Sequence, residues 1–453
     1  MTDDQALDRL AAADPVDENA LPAPGDAGPA RVLSAIVAST PTTKPAPRLL
    51  LGLRPLTAVA SLVVVAAALA LASPPGQGAV RSLVDEIRSV FAGEGAVVRD
   101  DGPVQPLRAD GIITSAVADG RGGWFVAGGF TRINGERRAH LAHLLADGSI
   151  DPDWTPSLAG RAPAHYTWAR LALADGRLYV AGTFEMVNGE RRGQVVALDA
   201  ATGAIAPEWR GLVDAVDALT TVAVSSGRLW VGLGGGALVA GEPVRCLVVL
   251  DGQTGVPEAA IRPALEPSGD LPCVQAIVAN AGRVYVAGHF PAVDGTQRPG
   301  IAALDSESGR LLAAFDPPAL ACDGCFGPPG ATALALSGGR LYVGGFFTGA
   351  GGEARSSLLA LDPATGSLQP FAAEISRENG SIATVLNLAA AGDRLYVGGD
   401  FGSVDGQARN GFAVLGPSGE LQQGWQPEST TDYVLALATA RRVVLAAGAG
   451  GRR

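Results

Sequence analysis

Lysine is all but missing: Lys44 is the single one in 453 residues, and every later basic residue is arginine. No later side chain can therefore act as a lysine base or form a Schiff base. Charge is scarce too, at 17% of residues, and acidic on balance, with 34 Lys and Arg against 45 Asp and Glu for a formal net charge of −11. No basic stripe exists to neutralise a phosphate backbone, which excludes a nucleic-acid partner. Aromatic residues make up only 5%, there are four histidines and four cysteines, and no GxSxG, HExxH or P-loop occurs. What is abundant is glycine, 61, and proline, 31, spread without a triplet period. That pattern belongs to many short strands joined by tight turns, so the expected class is all-β.

Three stretches differ in composition before the main domain begins. Residues 1–48 are acidic and rich in Ala and Pro, with no aromatic residue, so they cannot bury enough surface to order themselves and read as a disordered cytoplasmic tail. Leu49–Ala72 is uncharged apart from Arg54 and long enough to cross a bilayer, which sets a transmembrane helix at 49–73. Lys44 and Arg48 precede it, and the positive-inside rule then leaves the tail in the cytoplasm and the rest of the chain outside. Signal-peptide cleavage after Ala70-Leu71-Ala72 is the rival reading, opposed by the long acidic leader. A juxtamembrane stalk follows at 74–93, where Leu83, Ile87, Val90 and Phe91 fall at helical spacing.

From residue 94 onward the chain repeats. An apolar strand ending in glycine recurs as WFVAGGF, LYVAGTF, LWVGLGG, VYVAGHF, LYVGGFF, LYVGGDF and VVLAAGA. Aligned on Phe125, Tyr179, Trp230, Tyr285, Tyr342, Tyr396 and Val444, the spacings are 54, 51, 55, 57, 54 and 48 residues, the length of one four-stranded propeller blade. A second apolar strand precedes each of these anchors. Asn134-Gly135, Asn188-Gly189, Asp294-Gly295 and Asp405-Gly406 follow them, dipeptides that accept positive φ in a tight hairpin, with Arg137, Arg191, Arg298 and Arg409 after the turn and Arg355 equivalent in the fifth unit. A third strand then runs into LDAATG, LDGQTG, LDSESG or LDPATG, and a fourth segment carries proline, as suits an exposed edge. The C-terminus stops after two strands of a seventh unit, while Gly95–Gly111 supplies the missing pair. The expected fold is a seven-bladed β-propeller of four-stranded blades whose closing blade is a composite of both ends, residues 94–453.

The string LYVGGDFGSVDGQARNGFAVLGPSG at 395–419 resembles the uncharacterised bacterial β-propeller repeats called delta-60 repeats and, more distantly, kelch and quinoprotein propeller repeats. The resemblance implies architecture and no established reaction. Ala197–Gly203 followed by Trp209 is similar to a quinoprotein docking motif, but the Trp stands two residues late and the motif fails in the other units.

Thr183, His289 and Asp400 share the position before the closing Phe of their anchor strands, where they would face the loop-lined channel mouth; they are the candidate ligand-binding residues. His140 and His143 form an HxxH, yet residues three apart on a strand point to opposite faces, a poor metal pair. Cys246, Cys273, Cys322 and Cys325 are an even number in a chain placed outside the cytoplasm, and the expected bridges are Cys322–Cys325 and Cys246–Cys273; a redox-active CxxC or half a zinc site is the competing reading of Cys322-Asp-Gly-Cys325. No cofactor is predicted, and calcium or a quinone stands without support. The sequence favours a membrane-anchored extracytoplasmic ligand-binding or interaction module held by Leu49–Ala72. Its rivals are a propeller enzyme (quinone-dependent dehydrogenase, hydrolase or lyase) with a site at the channel mouth, and a sensor whose tail docks a cytoplasmic partner.

Overall fold

The computed structural model describes residues 93–99, 105–160, 169–211, 213–215, 219–239, 241–268, 271–280, 282–325, 327–377, 379–423, 433–440 and 443–449, all within the compact unit Arg81–Arg453. The expected tail, transmembrane helix and stalk lie outside the described residues. Among the described residues there is no helix, and none long and apolar enough to cross a membrane. The described residues are all-β and propeller-like.

Each unit opens with an inner strand: Ile113–Ala118, Ala169–Ala174, Leu219–Ser225, Val274–Asn280, Gly330–Ser337, Thr384–Ala391 and Tyr433–Ala440. An antiparallel anchor strand and a third strand complete a regular ladder, as in Ile113–Ala118, Trp124–Gly128 and Leu141–Leu144. Anchor residues are apolar throughout, so they sit between neighbouring sheets: Leu178, Val180, Val286, Val343 and Val397 are fully buried. Each inner strand lies beside the next in chain order, and the last, Tyr433–Ala440, lies beside the first.

The expected fourth strand takes a different form. After the Asp-x-x-Thr/Ser-Gly turn it makes a single bridge to its own unit, such as Leu198↔Ile205, Leu304↔Leu311 and Leu361↔Leu368. The chain then crosses to the next unit, where Leu158–Ala159 pairs with Met186–Val187, Leu320–Ala321 with Gly349–Ala350 and Ile375–Ser376 with Ser403–Val404. Proline at Pro156, Pro317 and Pro370 has no N–H to donate, which interrupts the ladder there. The Asn-Gly turns form as expected, with φ of 48° and 84° at Asn134 and Gly135 and 50° and 72° at Asp405 and Gly406. The third unit, which lacks that dipeptide, instead extends one long hairpin, Arg228–Val239 against Glu242–Asp251, with a register shift between Gly232 and Gly236.

Two one-residue corrections follow from the registers. Leu445 pairs with Ala438 as Tyr396 pairs with Ala389, so the seventh anchor is Leu445 and not Val444, and the last spacing is 49 residues. The repeated arginines are Arg138 and Arg192, not Arg137 and Arg191: the amides of Arg138, Arg192, Arg298, Arg355 and Arg409 donate across the outer hairpin in the same way, while Arg137 and Arg191 are exposed. Arg298 shows their role, donating from Nε to Phe315 O and from Nη2 to Ala313 O. Arg138 does the same, donating from Nη2 to Asp151 O, so in these two units the side chain holds the crossover segment by its carbonyl groups.

At the two ends of the described residues, Gly93–Arg99 pairs with Val443–Ala449 from Gly93↔Ala449 to Arg99↔Val443, and on its other side with Gln105–Ala109. Segments some 350 positions apart thus share one sheet.

Candidate functional site

The inner strands carry a repeated irregularity. Their register against the anchor strand shifts between Ile113 and Ser115, Leu219 and Thr221, Val274 and Ala276, Ala331 and Ala333, Val385 and Asn387, and Val434 and Ala436. A bulge re-aims the side chains around it. Here side chains at the bulge stitch four of the inner strands to the next: Thr114 Oγ1 donates to Ala169 O at 3.1 Å, Thr220 Oγ1 to Val274 O, Thr332 Oγ1 to Val385 O at 2.5 Å, and Asn387 Nδ2 to Val434 O at 3.4 Å.

Within these strands lies a central cavity of about 170 Å³ lined by residues of all the inner strands, from Thr114 to Leu437. One level of it is set by the residues that face the second position after each anchor: Ser115, Arg170, Thr221, Ala276, Ala333, Asn387 and Ala436 pair with Ala127, Ala181, Gly232, Ala287, Gly344, Gly398 and Ala447. Among the described lining residues, Arg170 is the one charged side chain. Its Nε donates to Thr220 O at 2.8 Å and its Nη1 to Thr114 O, so the guanidinium bridges the strands on either side of its own. Desolvation lowers its pKa to about 10, which still leaves it a cation at neutral pH.

Of the residues expected at the channel mouth, His289 connects to this cavity. Its Nδ1 lies 2.8 Å from Nε2 of the lining residue Gln275 and 3.3 Å from Pro272 O, and burial pushes its pKa down. The ring covers Gly330, where a Cβ would stand 2.3 Å from Nε2. Asp400 is paired with Arg377. Thr183 is half-buried beyond its anchor strand. None of the three lines the central cavity. The polar residues that do line it were not singled out in sequence, although each is visible there as a Thr, Ser, Arg, Gln or Asn early in an otherwise apolar strand.

The cysteines pair as expected. Cys246–Cys273, Cα atoms 5.1 Å apart, ties the third strand of the third unit to the start of the fourth inner strand, and both residues are fully buried. Cys322–Cys325 closes a short loop before the fifth inner strand. Every cysteine is bonded, so neither pair presents a thiolate ligand.

The two histidines of the HxxH have separate partners. His140 Nδ1 lies 3.1 Å from Gly128 O. His143 stacks on Phe125 with ring centroids 4.4 Å apart and lies between two carboxylates, Asp151 at 2.8 Å from Nδ1 and Asp119 at 3.2 Å from Nε2. The turn carboxylates cap their own turns: Asp199, Asp251, Asp305 and Asp362 each accept bonds from the backbone N–H and the hydroxyl of the Thr or Ser three residues on, which holds their pKa values below the usual range. Among the described residues, no three His, Cys, Asp or Glu side chains gather as a metal site.

Residues 122–153 and 173–201, the anchor-to-turn stretches of the first two units, match the family described as "Domain of unknown function (DUF5122) beta-propeller". These two stretches are similar to the repeats of that β-propeller family. No curated protein matches it in sequence. Among solved structures, dihydro-heme d1 dehydrogenase NirN in complex with DHE is 12% identical, covering 74% of this chain and 73% of its own, with a TM-score of 0.28. An α-L-arabinofuranosidase from Clostridium thermocellum is 11% identical, covering 57% of this chain and 92% of its own, with a TM-score of 0.27.

Proposed function

We propose that this chain is a membrane-anchored, extracytoplasmic, seven-bladed propeller that binds a small polar solute in its central channel. The observation that carries the reading is the cavity itself, a polar space of about 170 Å³ whose lining comes from equivalent positions of successive inner strands. Concave, protein-enclosed spaces with a few convergent polar groups are where small ligands bind. Seven-bladed closure is supported by the order of the inner strands and by Gly93–Arg99 pairing with Val443–Ala449. An oxidising location agrees with two disulfides and no free thiol. Anchoring rests on the apolar run Leu49–Ala72.

The channel is tested by filling it. Ala333→Leu on the full chain adds three carbon atoms at a cavity-lining position; it should abolish the thermal stabilisation given by any small solute that stabilises the parent chain. Solutes that stabilise both proteins equally would move the binding site elsewhere. Protease added to sealed, right-side-out membrane vesicles should cut the propeller and spare residues 1–48, and the opposite pattern would invert the topology.

A further inference from the structure

The two disulfides stand in opposite surroundings. Cys246 and Cys273 are fully buried in the core between the third and fourth units. Cys322 and Cys325 are half-buried at the ends of a turn whose middle residues, Asp323 and Gly324, are exposed, and a Cβ placed on Gly324 would meet nothing within 4 Å, so solvent reaches the turn. Both flanks of the turn are held by the fifth unit. Ala321 O accepts the Thr348 amide at 2.9 Å, the Asp323 amide donates to Thr348 Oγ1 at 2.8 Å, and Gly330 pairs with Phe346. The turn also leads into a junction that is built differently from its counterparts. Gln275 occupies the bulge position from which Thr114, Thr220 and Thr332 donate to the next inner strand, but its Nε2 is directed to His289 Nδ1 at 2.8 Å. The His289 ring in turn lies over Gly330, the first residue of the fifth inner strand.

We propose that Cys322–Cys325 is a reversible redox site, reduced by a dithiol while the fold stays intact, and that its state is passed to the channel wall through Gly330, His289 and Gln275. In the step, a thiolate of the dithiol attacks one sulfur of the bridge, forming a mixed disulfide and releasing the other cysteine as a thiolate that takes up a proton. The second thiol of the dithiol gives up its proton and, as a thiolate, displaces the remaining cysteine, which is protonated in its turn. Two electrons and two protons thus pass to the protein, and the dithiol leaves as a disulfide; the reverse exchange, with a disulfide as oxidant, restores the bridge. An exposed bridge exchanges directly, whereas a buried one exchanges only when the structure around it opens. Because a bridge across so short a separation constrains the chain least, the paired strands on either side survive its reduction. The opened turn no longer fixes the approach to Gly330, and the His289 ring that rests there is released. The site is independent of what the channel binds.

The test exposes the solubilised full chain to a dithiothreitol series, blocks free thiols with iodoacetamide and locates them by peptide mass spectrometry. Cys322 and Cys325 should be labelled at a dithiothreitol concentration roughly tenfold or more below that needed for Cys246 and Cys273, and oxidised dithiothreitol should restore the bridge. Labelling of all four cysteines together, only where the chain unfolds, would overturn the redox site. The channel step is read on the double variant Cys322→Ser and Cys325→Ser, which holds the turn open without a reductant. His289 should there react with diethyl pyrocarbonate several-fold faster than in the parent chain, while His140 and His143 keep their parental rates. An unchanged His289 rate would overturn transmission to the channel wall, and so would an equal rise at all three histidines, which would mark a general loosening of the fold.

Discussion

The Tyr179 hydroxyl donates to the carbonyl oxygen of Gly252 at 2.8 Å, 73 residues away in sequence. Tyr285 repeats the contact with Pro363 O at 2.7 Å, and the arginines two positions earlier reach the same turns, Arg177 to Gln253 O and Arg283 to Pro363 O. The anchor tyrosine therefore does two things. Its ring packs edge-on against Trp209, 5.9 Å between centroids, as Tyr285 packs on Phe315 and Tyr342 on Phe371, and its hydroxyl ties one sheet to the turn of the next.

Those two roles separate by mutation. Tyr179→Phe should cost about 0.5–1.5 kcal/mol, the net value of one buried hydrogen bond, whereas Tyr179→Ala should cost about 3–5 kcal/mol through the cavity it leaves. Urea denaturation measures both. A neutral Tyr179→Phe would assign the whole effect to ring packing.

The composite sheet predicts a backbone effect at the N-terminus. Ala96 is paired on both sides, with Pro106 and with Ala446. Ala96→Pro removes an N–H from a strand paired on both sides and should destabilise the domain, seen as a lower melting temperature. An unchanged melting temperature would mean that this strand does not hold the two ends together.

Acid should loosen the first unit. Burial raises the pKa values of Asp119 and Asp151, but bonds from the Arg121 and Gly123 amides and from His143 outweigh it at Asp119, and bonds from His143 and the Asp153 amide outweigh it at Asp151, so both end lower than their ordinary value. Their contribution is complete above the unfolded carboxylate range and is lost as pH falls through the lower folded values, in the region below about pH 4. Asp119→Asn should flatten the fall of stability with pH in that window. An identical slope in the variant would rule out the pair as the source.

The disulfides should differ in weight because they close loops of different length. Chain entropy assigns ~3.5 kcal/mol to a bridge across a separation of 27 residues and ~2 kcal/mol to one across 3. Replacing Cys246 and Cys273 together should therefore lower the urea midpoint more than replacing Cys322 and Cys325. Equal losses would point to a structural role for the short loop beyond its entropy.

Periodicity and turn chemistry were legible in the linear chain because they are local. The apolar anchor, the Asn134-Gly135 type of dipeptide and the Asp199-to-Thr202 type of capped turn each act within a few residues, so composition and spacing alone imply short strands, their order and the pairing of Cys322 with Cys325. The cavity was not legible in the same way. Ser115, Arg170 and Thr221 are isolated polar residues in apolar strands until the inner strands assemble side by side, and only then do they stand at one level of a shared cavity. The same dependence on register explains why Arg138 rather than Arg137 holds the crossover segment and why Leu445 rather than Val444 is the seventh anchor: a one-residue shift turns a side chain to the opposite face of a strand. Sequence alone determined what each unit is made of; the tertiary structure decided which side chains meet, because that depends on strands that are neighbours in space and more than fifty residues apart in the chain.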